Sequence, residues 1–149
     1  MKHQTAHMGE VDIADEEQIV FPAGLPGLPD YTRFAVLFDE GTWPFYYLQS
    51  LEDASLCLLT VEPFAFFPDY DFELPDSVVE QLQITSPDDI WVRNIVVVAD
   101  DFKQSTVNLQ APVIINHQRR LGRQVILNHP DYAVKHALFP KQAAESGNR

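Results

Sequence analysis

Two short apolar runs on either side of a proline constrain the fold of this chain more than any other feature. Residues 107–109 and 113–115 flank Pro112, and after the turn at Gly122 a third run covers residues 124–127. Runs of this length, bounded by proline and glycine, favour β-strands over helices. Proline cannot donate to a ladder of backbone hydrogen bonds, so Pro112 belongs at a strand start or on an edge. The pattern therefore predicts neighbouring strands in this part of the chain.

Further short strands recur through the chain, with turn signals about every ten residues. They are predicted over residues 19–22, 33–39, 45–50, 55–61 and 90–99. Many short strands separated by turns are typical of a compact antiparallel domain, either a sandwich or a small barrel. The sequence thus predicts a mainly β fold with one or two short helices.

The first of these helices is predicted directly after Pro75 and Asp76. Four apolar residues recur there at helical spacing, namely Val78, Val79, Leu82 and Ile84. A second helix, or a helical tail, is predicted over residues 132–138. In the proline-rich loop at residues 23–30, Gly24 and Gly27 are expected to adopt special backbone conformations.

The length of 149 residues fits one domain with its own core. We expect a flexible N-terminal segment over residues 1–18, a single β domain over residues 19–139, and a flexible tail over residues 140–149. No apolar run approaches the roughly 18 residues of a membrane helix, and the first residues lack the apolar stretch of a signal peptide. With Cys57 as its single cysteine, the chain is expected to be cytoplasmic.

The charge of this chain is strongly negative and unevenly distributed. The net charge is −12, and 20 of the 22 acidic residues precede His117, whereas six of the ten basic residues follow it. An acidic body repels nucleic acid, whose binding depends on cationic groups that neutralise phosphates. The same body can attract a basic protein and accelerate its encounter.

The sequence offers no recognisable catalytic motif. It contains neither a phosphate-binding glycine loop nor the His-Glu-x-x-His or Cys-x-x-Cys pair of a common metal site. The acid pairs Asp88–Asp89 and Asp100–Asp101 lie at strand ends, where turns favour aspartate. We therefore expect no enzyme activity, no cofactor and no metal, although carboxylates distant in sequence could still meet in the fold.

The most unusual stretch is residues 63–74, called here the acidic–aromatic segment. Five aromatic residues occur within nine positions, interleaved with acids and bounded by prolines. Tyr70, Phe72 and Leu74 alternate with Asp71 and Glu73, which predicts a half-buried strand over residues 70–74. The segment is consistent with packing of an aromatic face into the core. It is also consistent with a protein-binding surface, where aromatic anchors beside carboxylates are common.

Several blocks of the sequence together resemble the FliW family of bacterial flagellar assembly factors. The blocks lie at residues 21–27, 44–50, 63–64, 68–70, 108–116 and 122–127, in the order and at about the spacing of that family. One departure is Leu28, where the family often has phenylalanine. The resemblance covers roughly residues 19–128.

The resemblance implies a non-enzymatic regulator with a barrel-like β fold and two protein partners. One partner is flagellin, bound in the cytoplasm before export. The other is CsrA, a small basic dimer that represses flagellin translation and competes with flagellin for FliW. From the segments that match the family, we predict a partner-binding surface formed by Phe64, Phe67, Asp69, Tyr70, Asp71 and Glu73. Asn108 and Asn116 are assigned structural roles, since an asparagine among apolar strand residues usually bonds neighbouring backbone.

Two other classes of function remain open on the sequence alone. Aromatic residues could line the cavity of a small-molecule-binding barrel, which would require a closed pocket. Alternatively, the chain could be a hydrolase, which would require two carboxylates about 5 to 10 Å apart in a cleft. An exposed acidic–aromatic patch would instead favour protein binding.

Overall fold

The computed structural model describes residues 1–38 and 40–139 as a mainly β fold. Its strands are β1 Lys2–Gln4, β2 Glu10–Asp12, β3 Ile19–Val20, β4 Arg33–Leu37, β5 Phe45–Ser50, β6 Cys57–Val61, β7 Ile90–Val97, β8 Thr106–Val107, β9 Val113–Asn116, β10 Leu121–Gln124 and β11 His136–Ala137. The helix α1, Asp76–Gln81, lies between β6 and β7. Short 3₁₀ turns at Asp15–Glu17, Glu40–Thr42, Pro63–Ala65, Pro87–Asp89 and Phe102–Gln104 connect the other elements.

Seven of these strands close into a barrel in the order β7–β6–β5–β4–β3–β10–β9. The barrel closes because β7 pairs with β9, from Ile90 opposite Asn116 to Arg93 opposite Val113. The pairing of β3 with β10 is parallel, and the other pairings around the barrel are antiparallel. β8 pairs with the far end of β7, and β11 continues from β8. The predicted mainly β, barrel-like fold is confirmed.

The barrel interior is filled by apolar side chains that arrive from opposite walls. The buried cluster consists of Ile19, Phe21, Leu25, Phe34, Leu48, Val113 and Ile115. Burying each such side chain contributes roughly 1.5–3 kcal/mol. Gly122 is required on β10 because a Cβ there would lie 2.6 Å from Cζ of Phe21.

Three outer layers cover the barrel. The β1–β2 hairpin leads to Ile13, which packs with Ala35 of β4. Helix α1 packs through Val78 against Ile114 of β9. The acidic–aromatic segment and the β8–β11 pair form the third layer, which packs against Val61 and Val96. In the N-terminal segment that was expected to be flexible, residues 2–12 form this hairpin, while the expected tail over residues 140–149 lies outside the described residues.

Three local predictions are corrected by the structure. Residues 70–74 are extended and alternate between inside and outside as predicted, but they form no ladder and are not a strand. Residues 132–138 do not form a helix, because His136–Ala137 pairs with β8 and Leu138 donates to the Ser105 carbonyl at 3.0 Å. The strand predicted at 124–127 is instead β10, which ends at Gln124. In each case tertiary pairing decides what the local pattern leaves open.

Other local predictions are confirmed. Helix α1 follows Pro75, and Pro112 directly precedes β9. Gly24 and Gly27 have φ values of +67° and +80°. Asn108 Oδ1 accepts from two backbone amides, and Asn116 Nδ2 donates to the Leu82 carbonyl at 2.7 Å. In the described part of the chain, no helix is long and apolar enough to cross a membrane.

Candidate partner-binding site

The acidic–aromatic segment runs across the outside of the barrel without joining the sheet. It begins with the 3₁₀ turn Pro63–Ala65, in which Pro63 occupies the first position and its carbonyl accepts from Phe67 N at 2.8 Å. Proline suits this position because the first amide of a helical turn has no partner within the turn. A second turn follows, closed by Tyr70 N donating to the Phe67 carbonyl at 2.9 Å. These two turns determine the direction in which residues 70–74 run across the outside of the barrel.

Tyr70 anchors the segment to the layer beneath it. Its side chain is only 5% exposed, and its hydroxyl donates to the Leu109 carbonyl at 2.6 Å. Asn94 Nδ2 of β7 donates to the same hydroxyl at 3.2 Å. Burial raises the pKa of Tyr70 to about 12, so the phenol is neutral at physiological pH. Tyr70 therefore supports the candidate surface from below and offers little area to a partner.

A second tyrosine, Tyr132, holds the backbone of the segment at Asp71 through two hydrogen bonds. The Tyr132 hydroxyl accepts from Asp71 N at 3.0 Å and donates to the Asp71 carbonyl at 2.9 Å. The Tyr132 ring packs edge-on against Tyr70, with centroids 4.7 Å apart. Both backbone groups of Asp71 are thereby satisfied without a neighbouring strand. Its carboxylate remains exposed to solvent.

An open groove of about 740 Å³ lies along one side of the segment and is called here the main groove. Its walls are formed by Phe64, Tyr70, Asp71, Phe72, Glu73 and Leu74 on one side, by Val79, Ile84, Thr85, Ser86 and Pro87 on the other, and by Ile90 and Val92 of β7. Phe64 is 41% exposed, and Asp71 and Glu73 are exposed beside it. The groove thus joins an apolar floor to two carboxylates on one rim.

The six nominated residues are divided between two concavities that share Tyr70. Phe64, Tyr70, Asp71 and Glu73 line the main groove, whereas Phe67 and Asp69 line a smaller pocket of about 310 Å³ on the other side of Tyr70. In that small pocket, Phe67 packs edge-on against His136 at 5.0 Å between centroids. The segment is therefore a ridge between two concavities, and its acidic residues are divided between them.

The opposite wall of the main groove was not predicted as part of a site. Val79 and Ile84 belong to the apolar helical pattern that was predicted around Val78 and Leu82. In the structure Val78 and Leu82 are buried, whereas Val79 and Ile84 face the groove. The width of the apolar stripe was the available signal, since a six-residue helix cannot bury every face.

The turn on this opposite wall is held by Asp89. Its Oδ2 accepts from Thr85 Oγ1 at 2.9 Å, and from the backbone amides of Thr85 and Ser86 at 3.1 Å each. The hydrogen bonds from Thr85 lower the pKa of Asp89, with a smaller contribution from Ser86. Asp89 is thus a capping residue whose carboxylate is already engaged.

Other acidic residues outside the segment have similar local roles. Asp101 Oδ1 accepts from Lys103 N at 3.1 Å in a 3₁₀ turn. Glu52 Oε1 accepts from Thr32 N and Arg33 N, and these bonds, led by that from Arg33, lower its pKa. Within residues 1–38 and 40–139 no group of three or more metal-ligating side chains is present. The exposed carboxylates of Asp71 and Glu73 lie on the main groove, where a partner could reach them.

The comparisons with known proteins agree on one family. The family model described as FliW protein matches residues 2–138. A flagellar assembly factor FliW from Geobacillus kaustophilus is 43% identical over 145 residues, which cover 97% of this chain and 100% of the relative. A flagellar assembly factor FliW from Caldicellulosiruptor saccharolyticus is 41% identical over 131 residues, with coverages of 88% and 86%. A crystal structure of the flagellar assembly factor FliW is similar with a TM-score of 0.89, at 41% identity, covering 94% of this chain and 98% of that one.

Proposed function

The chain belongs to the FliW family, and from that premise we propose that it is a non-catalytic flagellar assembly factor that binds flagellin in the cytoplasm and antagonises CsrA. The observation that carries the proposal is the main groove, where an apolar floor meets the exposed carboxylates of Asp71 and Glu73. An apolar centre with a polar rim is the usual anatomy of a protein interface. The groove is open to solvent, as binding of a chain segment requires.

The charge of the chain supports a basic partner over an RNA partner. A net charge of −12 repels phosphate, while it accelerates the approach of a small basic dimer such as CsrA. The chain would then relieve repression by occupying CsrA, without contacting messenger RNA itself. Flagellin and CsrA would compete for the chain, so translation of flagellin would follow the amount already exported.

The test compares two charge reversals within the same segment. Asp71→Lys with Glu73→Lys alters the rim of the main groove, whereas Asp69→Lys alters the small pocket and serves as a control. Like charges across an interface cost several kcal/mol, so we expect CsrA binding measured by calorimetry to weaken at least tenfold in the first variant. We expect a smaller change in the control and unchanged melting temperatures in both, since exposed carboxylates contribute little to folding.

The same proteins also test whether RNA is a direct ligand. In a gel-shift titration, the chain alone should form no RNA complex, and its addition should release RNA from CsrA. The double rim variant should release less. Direct, salt-sensitive RNA binding by this chain would contradict the proposal, and equal loss of CsrA binding in both charge variants would place the interface outside the main groove.

A further inference from the structure

Arg93 is a largely buried cation on the inner face of β7. Trp91 and Ile95, two positions before and after it on β7, pack against the interior cluster, and side chains two apart on a strand share a face. The Arg93 side chain is only 8% exposed. Its Nη1 donates to the carbonyl of Val92 at 2.9 Å, while its Nε is buried with no hydrogen-bond partner.

The Arg93 guanidinium lies against two aromatic rings. It is 4.0 Å from the centroid of the Tyr46 ring and 5.6 Å from that of Trp91. Among the described side chains no carboxylate forms an ion pair with it, the two ion pairs there being Met1–Asp12 and Lys2–Glu10. Burial lowers the pKa of Arg93, which Tyr46 and Glu62 partly offset through space. A buried charge with unsatisfied donors costs free energy.

The aromatic groups around Arg93 continue to the surface. Phe38, which is 42% exposed, stacks on Tyr46 with centroids 4.8 Å apart. At the other end, His117 stacks on Trp91 at 5.0 Å, and the Arg120 guanidinium lies 5.4 Å from the same ring. Two guanidinium groups and an imidazole thus surround one indole in a chain whose net charge is −12. Arg120, His117, Tyr46 and Trp91 are all partly exposed, so solvent reaches the groups on both sides of Arg93.

We propose that Arg93 is the receptor for a carboxylate group of a bound protein segment, held between Tyr46 and Trp91. A guanidinium presents donors in a fork that matches a carboxylate, and one buried cation balances one negative charge. The exposed aromatic neighbours provide the apolar contacts that a peptide uses at an interface. A phosphate of nucleic acid fits less well, because the acidic body repels a chain of phosphates.

This site is distinct from the main groove, although both use β7. Val92 lines the groove on the outer face of the strand, and Arg93 points to the inner face. The proposal therefore does not depend on the proposed function, since a carboxylate site inside the barrel could exist whatever occupies the groove. The carboxylate could be a side chain of aspartate or glutamate, or the free end of a polypeptide.

The test uses three short peptides that differ in whether they carry a carboxylate and in its position. They are acetyl-Leu-Glu-Leu-amide, acetyl-Leu-Gln-Leu with a free terminal carboxylate, and the neutral acetyl-Leu-Gln-Leu-amide. Nitrogen-15 NMR follows the Arg93 Nε–H signal, assigned by its loss in Arg93→Lys. We expect a saturable shift at millimolar concentration with one or both acidic peptides, and at least fivefold weaker binding of the neutral peptide. Binding of the first peptide would indicate that the site accepts a side-chain carboxylate, and binding of the second that it accepts the carboxylate at a chain end.

Two outcomes would overturn this assignment. One is an equal response to acidic and neutral peptides, including no response to any of them. The other is a response to inorganic phosphate alone, which would make the site one for a different anion. Arg93→Met adds an independent readout, since it replaces the guanidinium with a shorter, unbranched apolar side chain. We expect this variant to melt at a higher temperature than the unmodified chain, and a lower melting temperature would show that the charge is already compensated.

Discussion

Replacing Tyr70 with phenylalanine tests how the acidic–aromatic segment is held to the barrel. The ring would remain in its cluster, and only the hydroxyl would be lost. The Leu109 carbonyl would lose its 2.6 Å donor, while Asn94 Nδ2 would keep its second acceptor, the Asn108 carbonyl, at 2.8 Å. Leaving one buried acceptor unsatisfied costs about 1–3 kcal/mol. For a domain of this size, a loss near the middle of that range lowers the melting temperature by about 4–8 °C at neutral pH.

Alkaline pH should reverse the order of stability of the two proteins. The pKa of Tyr70 is raised from 10.0 to about 12 in the folded chain, so the folded state holds this proton more tightly than the unfolded state. Its stabilising contribution is complete below pH 10 and is lost as the pH rises through about 12. A shift of this size corresponds to roughly 3 kcal/mol. The phenylalanine variant lacks this loss, so it should equal or exceed the unmodified chain in stability near pH 12.

Urea unfolding at several pH values between 7 and 12 measures both effects. Other titrating groups, including Cys57 with its pKa raised to about 11 by burial, are common to the two proteins and cancel in the difference. The reasoning fails if the two stability curves stay parallel from pH 9 to pH 12. Parallel curves would mean that the Tyr70 hydroxyl is hydrated in solution, and that the segment is held by other contacts.

Two further predictions concern the partners and the loop before β4. A mixture of the chain, flagellin and CsrA should give only binary complexes in size-exclusion chromatography with light scattering. Two full interfaces of roughly 800 Å² each must lie close together on so small a domain. A stable ternary complex with both affinities unchanged would refute mutual exclusion. Gly24→Ala should lower the free energy of unfolding, measured in urea, by more than about 1 kcal/mol. The reason is that φ at this position is +67° and the new Cβ would lie 2.6 Å from the Leu28 carbonyl oxygen. Gly27→Ala is the matched control, with φ of +80° but open space around the Cβ, and it should lower the free energy of unfolding by less.

The strands of the barrel were predictable because each carries its own signal. Apolar runs bounded by proline, glycine and acidic turns located β4 to β7 and β9 to within a few residues. The sequence did not predict how the barrel closes, since the pairing of β7 with β9 depends on residues far apart in the chain. The N-terminal hairpin was missed for a related reason. Its strands are polar, and its position depends on Ile13 packing beneath β4.

The candidate site was predictable only in part. Its acidic–aromatic composition identified the segment, and the alternation of Tyr70, Asp71 and Phe72 correctly separated buried from exposed positions. The same alternation was wrongly assigned to a strand, because the backbone of Asp71 is satisfied by the Tyr132 side chain, 61 residues away. A pattern of period two reports which side chains are buried, and it does not report which groups complete the backbone hydrogen bonds.

The way the main groove is built bears on how the proposed partners would exclude one another if both bind there. Its floor is β7, which is hydrogen-bonded to β6 on one side and β9 on the other. Shifting that strand would break two ladders at once, so the floor is expected to stay fixed. The walls are held by fewer bonds, through Tyr70, Tyr132 and Asp89. Local opening starts where few buried contacts hold the backbone. Competition between flagellin and CsrA would therefore arise from overlap on the walls or from small movements of them, and the barrel beneath would be the same in both complexes.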